Sequence, residues 1–537
     1  MPSPSKPRPP TPAHGDEIPV EQLAEAPFEP ETLTSVTITS GAWRMFSVFG
    51  GAVLQFAVSV VLARLLTPSD FGTYGLVIVV VGFVNMLAFL GVGPAIVQRR
   101  ELTDEHVRSA WTISLIGGLV SAALMVAVAP LLADLVGNAG TTNVFRAISP
   151  VFLLVGIRTV SLSLLRRQLR FRALGLVDIL SYALGYSVVG ISLALMGWGL
   201  WSLVAASLCQ AALSTILTCA LGRHSLRLRF ARTAWRQLLG FGGAMTLSGL
   251  ANYVALNGDN FIVGRVLGPA ALGFYARAYN FMNLPFNYLA QILGTVLLPA
   301  FSRIQDSRER MARSYIVSIY LVFLFAAPTM MFVFVAAPQI IVGIYGQRWS
   351  GAIAPLQILA LFGALRATYH LGGPLVQAAG RPWSEFARQL VYASLVVVGG
   401  RLGANWGTVG VAWAVGIAIT VMNVAMAQLS REVAGFTWKS FSGAHRAGLT
   451  AGAAVLGTGA VTRLLLGRTG APALVSLFVL TAVYITTACL AVALVPRGWA
   501  PEGATHAMSV AFDKLPRPLR AVVRRITRLP SAPPRPS

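Results

Sequence analysis

From residue 41 to residue 495 the chain alternates long apolar stretches with short polar connections. Each stretch has about the 20 residues that an α-helix needs to cross the hydrocarbon of a bilayer, and about fourteen fit. The first lies near 41–63, the seventh near 240–264, the eighth near 271–298 and the last near 472–495. The pattern predicts an all-α polytopic membrane protein with about 14 transmembrane helices.

Composition agrees. Of 537 residues, 55% are hydrophobic and 11% charged, against roughly 25% charged in soluble domains, which excludes a soluble enzyme. The formal charge of +23 would suggest nucleic acid in a soluble chain. Here it follows the loops: taking the termini and every second loop as one side gathers Lys and Arg there in roughly fourfold excess, the positive-inside pattern. That places both termini in the cytoplasm of an inner-membrane protein and gives anionic membrane lipids, not nucleic acid, as the charged partner. Cys209, Cys219 and Cys489 lie within apolar runs, which offers no disulfide framework. Residues 1–40 read as a disordered, proline-rich tail without a cleavable signal peptide.

The chain also repeats itself. Arg64, Leu66, Pro68, Gly72 and Tyr74 recur in order, at one constant spacing, as Arg265, Leu267, Pro269, Gly273 and Tyr275. Pro94-Ala95, Ala129-Pro130 and Trp198-Gly199 recur as Pro299-Ala300, Ala337-Pro338 and Trp406-Gly407. A duplicated unit with an even number of spans gives two parallel halves about an axis along the membrane normal, with a substrate path between them. The expected organisation is a six-helix bundle at 41–221, a second at 240–429, two extra helices at 443–495 and a basic tail at 496–537. In that tail Leu515, Leu519, Val522, Val523 and Ile526 share one face of an interfacial helix.

The segments VVLARLLTPSDFGTYGL (60–76), GVGPAIVQRRELT (91–103), RRQLRFRALGLVDI (166–179), DNFIVGRVLGPAALGFYARAY (259–279) and LPAFSRIQD (298–306) resemble the polysaccharide transporters of the multidrug/oligosaccharidyl-lipid/polysaccharide flippase superfamily, and VQAAGRPW (376–383) extends the likeness. It covers about 40–430 and is most similar to the lipopolysaccharide-biosynthesis, oligosaccharide-flippase branch. The resemblance implies export of a polyprenyl-pyrophosphate-linked oligosaccharide by alternating access between two six-helix bundles. It also implies polysaccharide polymerase and glycosyltransferases as partners, and no cofactor.

A flippase needs a polar, cationic cavity inside an apolar shell. On the eighth stretch Arg277, Asn280, Asn287 and Gln291 fall on one helical face, with Asn283 at its edge. Arg44 and Gln55 share a face of the first stretch, and Asn252 and Asp259 one of the seventh. All of these but Asn283 are cavity candidates, the alternative being hydrogen bonds that glue helices together. Asp259 is a coupling-ion candidate or the partner of a cavity Arg. Arg64 and Arg265 close equivalent stretches, as interface anchors or headgroup contacts. Arg158, Arg366 and His370 lie within spans and read as structural pairs. No Gly-Lys-Ser/Thr phosphate loop and no paired histidine ligands occur. An ion-coupled drug exporter and a membrane glycan polymerase or ligase are the competing readings; the last lacks a long loop for an active site.

Overall fold

The computed structural model describes residues 50–89, 91–99, 102–225, 227–231, 249–250 and 252–504, with the backbone alone for 284–296. Arg44, both terminal segments and the amphipathic stretch at 515–526 lie outside these residues. Every regular element among the described residues is helical. The principal helices are α1 (Gly50–Leu65), α2 (Pro68–Phe89), α3 (Asp104–Val136), α4 (Pro150–Arg167), α5 (Phe171–Leu195) and α6 (Leu200–Leu221). They continue with α7 (252–267), α8 (Pro269–Arg303), α9 (Arg308–Tyr345), α10 (Ile353–Tyr369), α11 (Pro382–Gly403), α12 (Gly407–Ala434), α13 (Trp438–Thr469) and α14 (Ala473–Leu494).

Among the described residues, 10 segments are long and apolar enough to cross a membrane, one of them, Pro382–Ala434, being the α11–α12 pair. Helices are the outcome that hydrocarbon enforces, because each backbone N–H and C=O must find its partner within the segment. Large apolar side chains stay uncovered along them, including Leu131 at 68%, Phe478 at 76% and Leu494 at 78% exposure. A water-facing surface would not carry such a load; a lipid-facing one does.

The chain forms two compact units. Among the described residues, one takes those from 50 to 62, 80 to 134 and 139 to 249; the other takes those from 63 to 79, 135 to 138 and 250 to 504. In the first, Ile96 of the short helix Val92–Gln98 packs with Val107 and Ala110 of α3 and with Val160 and Leu164 of α4. A Cβ on Gly156 of α4 would collide with the backbone of Ser114, so α3 and α4 cross at backbone contact, as small residues permit in membrane bundles. In the second unit α9 packs along α13, and α12 lies against both α10 and α11.

The internal repeat is visible in local geometry. Gly199 before α6 (φ 52) and Gly407 opening α12 (φ 69) both adopt the left-handed backbone that suits glycine. Pro130 inside α3 and Pro338 inside α9 occupy corresponding places.

Candidate functional site

Residues 63–79 come early in the chain but fold into the second unit. Thr67 caps α2: its hydroxyl donates to Asp70 Oδ2 at 2.6 Å and accepts from the Asp70 N–H at 3.2 Å, a reciprocal cap that fixes the start of the helix. Pro68 then takes the first turn, where its missing N–H costs nothing. Pro269 likewise takes the first turn of α8, after Gly268 and without a side-chain cap. The two corners interlock. A Cβ on Gly72 would fall on the Pro269 carbonyl and 2.9 Å from the Gly273 N, and a Cβ on Gly273 would fall on the Pro68 carbonyl, 2.8 Å from its carbon. Each repeat therefore seats its glycine on the proline of the other.

The arginines of the repeat cross in the same fashion. Arg64 donates from Nε to the Ile344 carbonyl at 2.9 Å and from Nη2 to the Gly343 carbonyl at 2.7 Å, where α9 ends in a π-helical turn, Ile341–Tyr345. Arg265 lays its guanidinium against Gly137, just beyond the end of α3. Cations at helix C-termini meet unpaired carbonyls and the negative end of the dipole. Both arginines are exposed at helix termini.

Arg277 on α8 sits in an aromatic enclosure. Its guanidinium carbon lies 4.1 Å from the Phe71 ring centre, 5.5 Å from Trp349 and 5.7 Å from Tyr345, within cation–π range. Trp349 is fully buried, donates from Nε1 to the Ala63 carbonyl at 2.8 Å, and meets Phe71 edge-on at 5.5 Å. Three rings from two distant parts of the chain thus surround one cation.

Deeper in the second unit is a polar cluster. Asp259 on α7 is 1% exposed. Its Oδ2 accepts from the Tyr275 hydroxyl at 2.9 Å and its Oδ1 from the Asn260 backbone N–H at 2.8 Å. Arg366 of α10, itself buried, acts on Asp259 as the favourable charge, lies 5.2 Å over the Tyr279 ring and donates to the Tyr392 hydroxyl at 3.3 Å. Burying a charge is costly unless it is paired and hydrogen-bonded; here hydrogen bonds reach both Asp259 oxygens, and Arg366 attracts the carboxylate without a direct ion pair. His370 is exposed, its ring tilted against that of Tyr369 with centres 4.2 Å apart.

The other candidates are less gathered. Asn252 is exposed and accepts from Gln389 Nε2 at 3.0 Å. Gln55 and Asn280 are exposed. Asn287 and Gln291 fall where α8 is described by backbone alone. Periodicity pointed to Arg277 and Asp259, but not to the aromatic residues around them: Phe71, Trp349, Tyr345, Tyr279 and Tyr392. The one sequence signal among their neighbours is the repeat itself, which includes Tyr275.

The family described as polysaccharide biosynthesis protein matches residues 61–354. The chain is similar to the lipopolysaccharide biosynthesis protein WzxC of Escherichia coli (strain K12), 24% identical over 71% of this chain and 78% of that one. It is also similar to the succinoglycan biosynthesis transport protein ExoT of Rhizobium meliloti (strain 1021), 28% identical over 62% and 67%. Among solved structures, the lipid II flippase MurJ in an inward closed conformation shares the fold with a TM-score of 0.66 at 15% identity, covering 83% of this chain and 98% of that one. An inward-facing multidrug resistance MATE transporter aligns with a TM-score of 0.59 at 17% identity, over 72% and 95%.

Proposed function

Because the chain belongs to the polysaccharide biosynthesis protein family, we propose that it carries lipid-linked oligosaccharide units across the cytoplasmic membrane for assembly of a surface polysaccharide. The observation that carries this reading is the family match across 61–354, together with relatives named for lipopolysaccharide biosynthesis and for succinoglycan transport. Many apolar helices and a duplicated architecture agree with it.

In the mechanism we infer, the bundles 41–221 and 240–429 rock about their pseudo-symmetry axis and expose the path to each side in turn. Both termini stay in the cytoplasm, as the loop charges require. Arg277 takes the pyrophosphate of the headgroup. Rings stacked on a guanidinium hold its in-plane fork of donors in one orientation, the geometry that phosphate oxygens match. Arg44, Gln55, Asn252, Asn280, Asn287 and Gln291 supply the polar lining through which the sugars pass. Asp259 balances Arg366 within the second bundle, and Arg64 and Arg265 hold helix ends where the substrate leaves. Polymerase and glycosyltransferases act before and after this step.

The test is reconstitution. Purified protein in vesicles holding a fluorescent polyprenyl-pyrophosphate oligosaccharide should bring the label within reach of an enzyme added outside, at a rate proportional to protein. Equal rates in protein-free vesicles would overturn the proposal, and transport of hydrophobic cations instead would favour drug export.

A further inference from the structure

The first compact unit contains a cavity lined by its own residues alone. About 180 Å³ in volume, it lies among α4, α5 and α6. Its polar lining comes from Arg158 and Arg166 of α4, Asp178 of α5, and Ser214 and Thr218 of α6. Leu162, Phe171 and Leu174 supply apolar walls. Arg158 lies about 14 Å along α4 from its end at Arg167, at ~1.5 Å per residue, so the cavity reaches well below the basic loop that joins α4 to α5.

The arginines near this loop divide into two kinds. Arg167 donates from Nη1 to the Ile96 carbonyl at 3.1 Å and also to that of Arg99, and Arg170 donates to the Leu221 carbonyl at 3.0 Å. These two are spent on the last carbonyls of helices. The side chain of Arg166 is exposed and makes no hydrogen bond or ion pair with another described residue. Arg158 donates from Nη1 to the Ser214 hydroxyl at 2.5 Å, and its buried Nε has no acceptor. A guanidinium carries five N–H donors, and a buried donor without an acceptor is costly, most of all at membrane depth. Among the charges acting on Arg158, Asp178 attracts and Arg166 repels. Two cations face one carboxylate in the lining, leaving room for one more negative charge.

We propose that this cavity binds the phosphate group of a membrane lipid, held between Arg158 at its floor and Arg166 at its rim. The Ser214 and Thr218 hydroxyls can donate to the remaining phosphate oxygens. The leucines and Phe171 receive the first carbons of the attached chain, a mixed lining that suits an amphiphile better than a free ion. Two sources share this chemistry: the phosphodiester of a bilayer lipid and the pyrophosphate of a polyprenyl carrier. The site does not depend on the transport reading, since all its residues lie in one compact unit.

The experiment measures binding of dioleoylphosphatidylglycerol, dioleoylphosphatidylcholine, farnesyl pyrophosphate and inorganic phosphate to the delipidated full-length protein in neutral detergent. Phosphatidylglycerol or farnesyl pyrophosphate should bind at least tenfold more tightly than phosphatidylcholine; whichever binds more tightly identifies the source. Arg158→Gln and Arg166→Gln should each weaken that ligand about tenfold. Asp178→Asn removes the competing carboxylate and should tighten it severalfold, an effect no purely structural role of Asp178 would give. If Arg158→Gln does not fold, the exposed Arg166 and Asp178 variants decide alone. Unchanged affinity in Arg166→Gln, weaker binding in Asp178→Asn, or equal binding of inorganic phosphate would overturn the proposal.

Discussion

The interlocked corners give the sharpest prediction. An alanine at Gly72 or Gly273 places its Cβ on a backbone carbonyl of the opposite repeat, far inside the 3.0 Å that real Cβ atoms essentially never breach. No rotamer relieves the clash, because the obstacle is backbone rather than the end of a flexible side chain. Restoring ordinary contact at 3.4 Å or beyond requires the two helix starts to part by about 1 to 2 Å. Overpacking of this kind costs about 1–3 kcal/mol. If the corner contact belongs to one of two transport states, that penalty shifts the equilibrium against it by about 5- to 150-fold. Spin labels at Ser69 and Ala270, both exposed beside the corner prolines, would report the change as a distance distribution moving to longer values in Gly72→Ala. Gly273→Ala should do the same. The double variant should add less than the sum of the two, because both act on one interface. Gly50→Ala, where a Cβ would meet nothing within 4 Å, is the control and should match the parent. A distribution unchanged in Gly72→Ala, with the protein at normal abundance, would refute the idea that backbone contact at this corner defines a state.

Three further outcomes are expected. Arg277→Ala should abolish export while leaving membrane abundance normal, and Arg277→Lys should restore only part, since an ammonium keeps the charge but loses the planar fork; wild-type surface polysaccharide in Arg277→Ala would remove Arg277 from the path. Tyr275→Phe leaves Asp259 Oδ2 without its 2.9 Å donor and should destabilise the protein by about 1–3 kcal/mol, read as a lower unfolding midpoint; an unchanged midpoint would show that the contact contributes nothing. Cysteines at Trp198 and Ser350, both exposed, should react with an impermeant maleimide from outside the cell, whereas ones at Arg227 and Asp306 should not, and the reverse pattern would invert the topology.

Length and apolarity of the runs determined the class of this protein without any structure, because a segment that must satisfy its own backbone in hydrocarbon has one choice of regular element. The duplication was equally legible: the prolines and glycines of the repeat punctuate helix ends, and such punctuation survives in sequence when side chains drift. Helical periodicity singled out Arg277 and Asp259, since a polar group on an apolar helix is conspicuous wherever the helix goes. What periodicity lacks is the identity of the neighbours. Phe71, Tyr345 and Trp349 reach Arg277 only because residues 63–79 fold into the second unit, and nothing in the local pattern of α2 announces that. Arg64 and Arg265 are alike in sequence, yet the helix terminus each one meets was decided by packing, as was the burial of Arg366 among tyrosines. Sequence fixes which face of a helix is polar; the crossing of helices, set by where glycine lets backbones touch, fixes what that face meets.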